Sequence, residues 1–409
     1  MATNKVSSTP LMPKERLELL DKAWSEAAEL YLRELAPRFD PWFQLAVAEL
    51  KTHNLPEGPV LVPCCGPGQE LLPLHALYGG RRRVVGLDLS HGMIDLAHAA
   101  IAAAGADTTS TRSSDARTAE QQPQQPQQPQ QPQQPQQPQQ PQQPQQPQQP
   151  QQPQQPQQPQ QPVEAVVADA TALDAFGPAA AVVSVFGLQQ MGALAPAALA
   201  NWGGCLAPGG VAVVVFWPSR VEDRGPWLTF DQVLLEKAAA ERGQPPPPPD
   251  AAAAAGPLAW EVALTEPLRA EAAQGRAAGE GAAGEDGGAQ ASGVEVLVDR
   301  LQAFDMMWPS AEFFWKVMTE GGPWRARRLA QGDAVMADLA NRFAAKYGGM
   351  GSEQYGSAPL SHRPAARVVV LRRCGGGGGG GGGAARPAAA GGAAAAERQA
   401  QGRGELSAL

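Results

Sequence analysis

Two glycines and an aspartate have the spacing of a nucleotide-binding site. Gly66 and Gly68 follow the apolar run 59–65, and Asp88 ends the next apolar run. Glycines after a buried strand let a cofactor approach the backbone, and an acid at the end of the next strand can bind both ribose hydroxyls. The pattern predicts an adenosine-containing cofactor. Several classes of enzyme share it, although the third glycine of the dinucleotide fingerprint is absent because position 71 is Leu.

Short apolar runs alternate with helical patterns along the chain, which predicts parallel strands covered by helices on both faces. We expect an α/β fold with a Rossmann-like, seven-stranded doubly wound sheet. The predicted strands are 59–65, 84–87, 163–167, 181–186, 211–216, 294–306 and 367–372. The predicted helices that connect them include 71–78, 90–104, 310–319 and 333–347.

An N-terminal helical cap, residues 1–54, precedes the first strand. Apolar residues recur every three or four positions from Leu17 to Leu35, which predicts a helix that Pro37 ends. Asp40 and Pro41 then predict the N-cap and first position of a second short helix. We expect a central domain at 55–374 after this cap.

Three low-complexity segments are predicted to be disordered: 106–162, 243–293 and 375–409. The first contains fourteen uninterrupted Gln-Gln-Pro triplets at 121–162. These triplets have no apolar side chains to bury, and their prolines remove backbone donors. Since the cost of closing a loop grows only logarithmically with its length, we expect the fold to tolerate this insertion as a surface loop.

Charge and cysteine content disfavour several classes of protein. A sequence-independent nucleic-acid binder needs a general attraction to phosphate. A net charge of −8 does not provide one, so a nucleic-acid partner is disfavoured. The four cysteines have neither the spacing of metal ligands nor that of a disulfide framework, so no metal site is predicted. No apolar run is long enough to span a membrane. We therefore expect a soluble, cytoplasmic protein, and an organelle transit segment stays open.

Five segments resemble, in order, the successive motifs of class I S-adenosylmethionine-dependent methyltransferases. They are VLVPCCGPGQE (60–70), VVGLDLSHGMIDLA (84–97), VVADATAL (166–173), VVSVFGLQQM (182–191) and LAPGGVAVVVFWP (206–218). The resemblance implies S-adenosyl-L-methionine as the cofactor. It also implies that the glycine loop flanks the methionine part, Asp88 binds the ribose, and Asp169 with the backbone of Ala170 meets the adenine.

The cofactor-binding positions predicted on this resemblance are Cys65, Gly66, Gly68, Asp88, Leu89, Met93, Asp169, Ala170, Phe186 and Tyr31. One departure concerns the end of the first strand. The family usually has an acidic residue at or near Pro63 that helps to orient the amino group of the cofactor, and this chain has Pro-Cys-Cys there. Weaker cofactor binding, or an altered geometry, stays open.

The acceptor is predicted to be a small organic molecule. Methyltransferases that act on base amines often have an Asn/Asp-Pro-Pro-aromatic motif after the fourth strand, and this chain has FGLQQ at 186–190. That stretch is similar to the FGLRN stretch of quinone-biosynthesis C-methyltransferases, which implies methylation at carbon, oxygen or sulfur. Trp24, Trp217 and Trp308 are candidate walls of the acceptor pocket, and His362 is the candidate general base.

Two other functions stay open. A nicotinamide-dependent oxidoreductase would share the glycine loop and Asp88, but it would not explain the Asp169-Ala170 pair or the Pro208-Gly209-Gly210 turn. A non-catalytic scaffold with the methyltransferase fold would use the Gln-Gln-Pro tract to recruit proline-reading domains. That tract lacks the basic or aromatic flanks such domains usually read, so a protein partner for it is an open alternative.

Overall fold

A seven-stranded sheet forms the centre of the computed structural model, which describes residues 13–114, 161–248, 251–252, 254, 256–264 and 293–374. The strands lie in the order β3-β2-β1-β4-β5-β9-β6. Their bounds are β1 Val60–Pro63, β2 Val84–Asp88, β3 Val163–Val167, β4 Ala179–Val185, β5 Leu206–Phe216, β6 Val294–Ala303 and β9 Ala365–Arg373. A separate two-stranded sheet pairs β7 Met306–Trp308 with β8 Leu360–His362.

The first five strands of the central sheet pair in parallel, and β9 runs antiparallel to both β5 and β6. Helices cover both faces. They are α1 Pro13–Leu30, α2 Ala36–Lys51, α3 Leu71–Leu77, α4 His91–Ser114, α5 Ala195–Cys205, α6 Pro226–Glu241, α7 Ala259–Val262, α8 Ala311–Glu320, α9 Arg325–Gln331, α10 Asp333–Lys346 and α11 Glu353–Gly356. The predicted α/β, Rossmann-like fold class is confirmed.

Side chains alternate between two cores along the strands. On β1, Val60 and Val62 face the core shared with α2, α3 and α4, whereas Leu61 faces the core on which α5 packs. All three are fully buried. Because every central strand is covered twice, its sequence is continuously apolar, as expected for a parallel sheet. The carboxyl ends of β1, β2, β3 and β4 therefore meet at one edge, and the predicted cofactor residues follow these ends.

The N-terminal helices are continuous, so the predicted break at Pro37 is wrong. A single π-helical turn, Tyr31–Leu35, joins α1 to α2, and the N–H of Ala36 bonds to the carbonyl of Tyr31. Pro37 is the second residue of α2, directly after this π-turn, and the helix continues through it. The predicted N-cap at Asp40 is also wrong, because Asp40 and Pro41 lie inside α2. The π-turn instead sets the direction of Tyr31.

The predicted strand 294–306 is wrong in extent, because β6 ends at Ala303 and β7 begins at Met306. The partner strand β9 starts at Ala365, directly after Pro364. Proline has no N–H to give to a ladder, so the central sheet stops there. Beyond that point the chain pairs Met306 with His362 in the second sheet.

The predicted disordered segment 106–162 is ordered at both ends. Helix α4 continues to Ser114, and the N–H of Gln161 donates to the Gly80 carbonyl at 2.8 Å. The Pro162 carbonyl accepts from the N–H of Val84 at 3.1 Å. Residues 115–160, which hold most of the Gln-Gln-Pro tract, lie outside the described residues. The insertion thus leaves and rejoins the domain at fixed points.

The second segment predicted to be disordered, 243–293, contains the short helix α7. Glu261 in this helix is buried, and its Oε2 accepts hydrogen bonds from the N–H and the hydroxyl of Ser219 at 2.9 and 2.7 Å. Residues 265–292 and the tail 375–409 lie outside the described residues. Part of this low-complexity segment is therefore built into the domain beside the end of β5.

Candidate cofactor site

A cysteine occupies a glycine-like conformation in the loop after β1. Cys64 has φ 56°, followed by Gly66 at 53° and Gly68 at 77°. A non-glycine residue in this region costs roughly 1–2 kcal/mol. The Cys64 side chain fits because Gly187 follows β4, and a Cβ on Gly187 would lie 2.3 Å from the Cβ of Cys64. The loops after β1 and β4 therefore interlock at this pair.

The two predicted glycines serve different purposes. A Cβ on Gly68 would lie 2.7 Å from the Cβ of Ala97, so Gly68 is needed where the loop packs against α4. At Gly66, Cε1 of Tyr31 at 3.8 Å is the only atom of the described residues, chain neighbours aside, within 4 Å of an added Cβ. Gly66 thus leaves open space on the side that Tyr31 covers. A ligand lying across the loop would use this space.

Asp88 ties the glycine loop to the end of β2. Its Oδ2 accepts from the N–H of Gly66 at 2.9 Å, and its Oδ1 accepts from the N–H of Ser90 at 2.9 Å. Burial raises the pKa of this carboxyl, while the bonds from the backbone of Ser90, Gly66 and Leu89 lower it. A carboxylate offers about four acceptor positions. One position therefore remains for a ribose hydroxyl, fewer than the two hydroxyls expected from the sequence.

Cys65, Leu89 and Met93 lie around the same loop. The thiol of Cys65 points into the core, where a Cβ on Gly86 would come within 2.8 Å of its sulfur, so only its backbone faces a ligand. Leu89 is half-buried. Met93 is buried, and its N–H donates to the Ser90 hydroxyl at 3.2 Å. Leu89 is thus the most accessible of the three predicted side chains.

Asp169 and Ala170 follow β3, the strand that pairs with β2 on the side away from β1. Asp169 is exposed, and its Oδ1 accepts from the N–H and the hydroxyl of Thr171 at 2.9 and 2.7 Å. Its Oδ2 has no partner within the described part of the chain. The carbonyl of buried Ala170 accepts from the Trp202 indole at 2.8 Å, which fixes this turn. The free oxygen suits the amino group of an adenine.

The electrostatic environment of the glycine loop is acidic. Burial raises the pKa of the Cys64 thiol, and Asp88, Asp169 and Glu70 raise it further. No Lys or Arg among the described residues is a cause of the pKa shift of Cys64, Asp88 or Glu70. Such a loop suits a cationic ligand and disfavours the pyrophosphate of a dinucleotide. These acidic acceptor groups therefore fit S-adenosyl-L-methionine, which carries a sulfonium and an ammonium group.

Helix α1 is fastened to the start of α4. Asp21 Oδ1 accepts from the N–H of His91 at 3.0 Å, and the Ser25 hydroxyl accepts from the N–H of Gly92 at 2.9 Å. A Cβ on Gly92 would lie 2.8 Å from the backbone of Ser25, so the two helices are in close contact. Asp21 and Ser25 of α1 thus accept from the first turn of α4, in addition to Ser90, whose hydroxyl accepts from Met93. This contact holds the N-terminal helices over the loop that carries Asp88.

An aromatic wall extends from the glycine loop along the N-terminal helices. It is formed by Trp24, Tyr31, Phe39, Phe186 and Trp217, each in ring contact with the next or with Phe39. Phe186 stacks on Trp217 with ring centroids 4.0 Å apart and planes 7° apart. It has φ 62°, outside the usual range for a bulky residue. Strain of this kind often marks functional sites.

Trp308 and His362, the remaining predicted acceptor-site residues, are not part of this wall. Trp308 is 2% exposed, and its indole donates to Nε2 of His362 at 3.0 Å. Nδ1 of His362 lies 2.7 Å from Oε2 of Glu222, and both side chains are buried. Both ring nitrogens of His362 are therefore engaged, which argues against the predicted general base. Trp308 belongs to the core rather than to an acceptor pocket.

Three polar side chains near the loops escaped the sequence-based prediction. Glu70 is 3% exposed, and burial raises its pKa to about 8. The side-chain oxygens of Gln69 and Gln189 are buried without a partner in the described part of the chain. The position of Glu70 directly after the glycine loop could have indicated a role in the site. A polar residue at this position is also typical of an ordinary helix start, so the sequence did not distinguish the two.

A cavity of about 700 Å³ lies beside α6 and the segment after it. Glu222, Asp231 and Arg242 are among its charged lining residues. None of the predicted cofactor or acceptor residues lines it. Burial raises the pKa of Asp231 to about 7, against the opposing effect of Arg327. The cavity is thus distinct from the glycine loop.

Residues 60–127 match the protein family described as "Methyltransferase domain". The match starts at β1 and includes the glycine loop and Asp88. The resemblance to class I S-adenosylmethionine-dependent methyltransferases is confirmed by this match. No curated protein sequence matches the chain.

Solved structures similar to this chain include the YcgJ protein of Bacillus subtilis. It is 10% identical with a TM-score of 0.37, over 81% of this chain and 98% of that one. A putative methyltransferase from Bacillus halodurans C-125 is 12% identical with a TM-score of 0.37, over 81% and 99%. The [4+2]-cyclase SpnF is 16% identical with a TM-score of 0.34, over 82% of each chain.

Among the described residues, no helix combines the length and the apolar character that a membrane-crossing segment needs.

Proposed function

We propose that the protein transfers the methyl group of S-adenosyl-L-methionine to a small organic acceptor, at carbon, oxygen or sulfur. One observation supports this most strongly. The open glycine Gly66 is bonded to Asp88 at an edge of the sheet where Asp169 and Glu70 add further acidic groups. A cationic adenosine cofactor would satisfy these groups, whereas the pyrophosphate of a dinucleotide would find no cationic partner among them.

The proposed binding mode follows the strand ends. Asp88 would accept from the ribose, and the free oxygen of Asp169 would accept from the adenine amino group. The open side of Gly66, beneath Tyr31, would hold the methionine part. When bound, the cofactor supplies an activated methyl group for direct displacement by the acceptor.

The residues of this chain would contribute position and exclusion of water. The interlocked Cys64 and Gly187 fix the two loops relative to each other, so that Phe186 is held at the end of β4. Phe186 and Trp217 are buried and stacked on each other, so this pair would give the loop after β4 a rigid backing. Holding two reactants in line contributes a large share of the rate enhancement, so no nucleophilic residue is required.

The aromatic wall also bears on the acceptor. All five of its side chains are uncharged, and the two half-buried ones, Trp24 and Tyr31, can stack on a flat molecule. His362 is engaged on both ring nitrogens, so it offers no free base. An acceptor that loses its own proton near neutral pH therefore fits best. Thiols, with a pKa of about 8.5, ionise more readily near neutral pH than phenols, with a pKa of about 10, and a carbon between two carbonyl groups is also acidic.

A turnover assay tests the proposal. Purified protein would be incubated with methyl-labelled S-adenosyl-L-methionine and a panel of phenols, thiols and 1,3-dicarbonyl compounds, with label in the organic extract as the readout. We expect transfer to at least one class, and a loss of about 100-fold or more in Phe186→Ala if the wall orients the acceptor. Cofactor binding without transfer to any member would overturn the small-acceptor assignment.

A further inference from the structure

Glu70 is a buried acid without a partner. It is 3% exposed, stands directly before α3, and makes no capping hydrogen bond to that helix. No hydrogen bond or ion pair to its carboxyl occurs among the described residues, and burial is the only cause of its pKa shift. Buried polar groups are normally paired, so an exception in a native fold calls for an explanation.

The groups that face Glu70 are neutral. Burial raises the pKa of the Tyr31 hydroxyl and of the Cys64 and Cys65 thiols, and the nearby Glu70 raises each of them further. These groups come from the π-turn and from the glycine loop, the two elements that enclose the open side of Gly66. Gln69, the preceding residue, adds a buried side-chain oxygen without a partner. This corner of the site therefore presents acceptors and lacks a cationic donor.

The end of β1 lacks the acid that related enzymes use for the amino group of the cofactor. Val62 and Pro63 are apolar, and the Pro63 carbonyl accepts from the Ser184 hydroxyl at 3.0 Å. We propose that Glu70 binds the α-ammonium group of the methionine part of the cofactor, in place of that missing acid. This inference rests on the proposed function. It assigns the residue that selects an amino-acid-bearing adenosine ligand.

Binding is then linked to a proton. In the empty protein at pH 7, a carboxyl with a pKa of about 8 is mostly protonated. The arriving ammonium group favours the carboxylate, so the carboxyl proton leaves to solvent as the ion pair forms. About 0.9 proton should be released for each cofactor bound at pH 7. Below pH 8 the affinity should rise with pH.

Isothermal titration of the full-length protein tests the inference with three ligands: S-adenosylmethionine, S-adenosylhomocysteine and 5′-methylthioadenosine. The first two carry the ammonium group, and the third lacks it. Glu70→Gln should weaken the first two by about 10- to 100-fold and leave the third within about twofold. Titrations in buffers of different ionisation enthalpy should show the proton release in wild type and its loss in Glu70→Gln.

Asp231→Asn is the matched control, because Asp231 is a half-buried acid with a raised pKa that lies in α6, away from the glycine loop. It should bind all three ligands as wild type does, and thermal unfolding would verify that both variants fold. Equal binding of all three ligands by Glu70→Gln and wild type would overturn the inference and leave the proposed function standing. A loss limited to S-adenosylmethionine would also overturn it, since it would assign Glu70 to the sulfonium. Failure of folded wild type to bind any ligand would overturn the proposed function, and the inference with it.

Discussion

Replacing Gly187 by Ala would place a methyl group 2.3 Å from the Cβ of Cys64 and 2.8 Å from its sulfur. Gly187 itself has φ −96° and ψ −43°, which alanine adopts freely, so the cost arises from this contact alone. Overpacking a buried site costs about 1–3 kcal/mol. The upper end is expected, because the nearest atom is a Cβ fixed to the backbone. We therefore predict that Gly187→Ala lowers the free energy of unfolding by about 3 kcal/mol.

Removing the Cys64 side chain should abolish this cost. In a Cys64→Gly background the nearest remaining atom is the Ser184 hydroxyl oxygen, at 3.1 Å, so Gly187→Ala should cost less than about 1 kcal/mol. Cys64→Gly alone should be nearly neutral, because relief of the left-handed backbone offsets lost packing. Urea unfolding of the two single variants and the double variant measures the coupling, which should be about 2 kcal/mol. Additive costs would refute the interlocking of the two loops.

Three further predictions concern stability and binding. The folded-state pKa of Glu70 is raised from 4.5 to about 8, so the empty protein should lose stability as pH rises between these values. In urea unfolding, Glu70→Gln should then be more stable than wild type by about 3 kcal/mol at pH 7 and by under about 1 kcal/mol at pH 5. An equal difference in stability at both pH values would contradict the raised pKa of Glu70. His362→Ala removes the partner of Oε2 of buried Glu222, while Oε1 keeps the N–H of Trp227, and should cost about 1–3 kcal/mol of stability, whereas lost turnover at unchanged stability would restore the base role. Deleting residues 121–160, which spares Gln161 and its bond to Gly80, should leave cofactor affinity within about twofold in a titration; a larger loss would give the insertion a part in the site.

The central strands were predictable because a strand buried on both faces must be apolar throughout. The apolar runs of β1, β2 and β5 are short and are bounded by turn residues, which favours buried strands over helices. Asp88 was predictable for a related reason, since its place at a strand end brings it to the sheet edge. The N-terminal break was not predictable, because Pro37 normally ends a helix. Here a π-turn at Tyr31 shifts the chain, so that the proline falls in the first turn of α2.

The candidate site contains features that sequence spacing could not reveal. Cys64 looked like a small hydrophobic residue, but its left-handed backbone places it where a glycine is expected and requires Gly187 across from it. His362 was singled out by residue type alone, and its engagement with Trp308 and Glu222 depends on contacts between distant segments. Glu70 was missed because only the fold shows that its side chain is buried and unpaired.

The most direct test of the account measures S-adenosylhomocysteine binding by titration to wild type, Asp88→Asn and Asp95→Asn. Asp88 joins the glycine loop to β2 and would hold the ribose, whereas Asp95 is exposed on α4 and serves as the matched control. We predict clear binding by wild type and Asp95→Asn, and an affinity about 100-fold lower in Asp88→Asn, since charge-assisted hydrogen bonds contribute about 1.5–3 kcal/mol. Absence of binding by folded wild type, or equal binding by all three proteins, would contradict the assignment of this edge of the sheet to the cofactor.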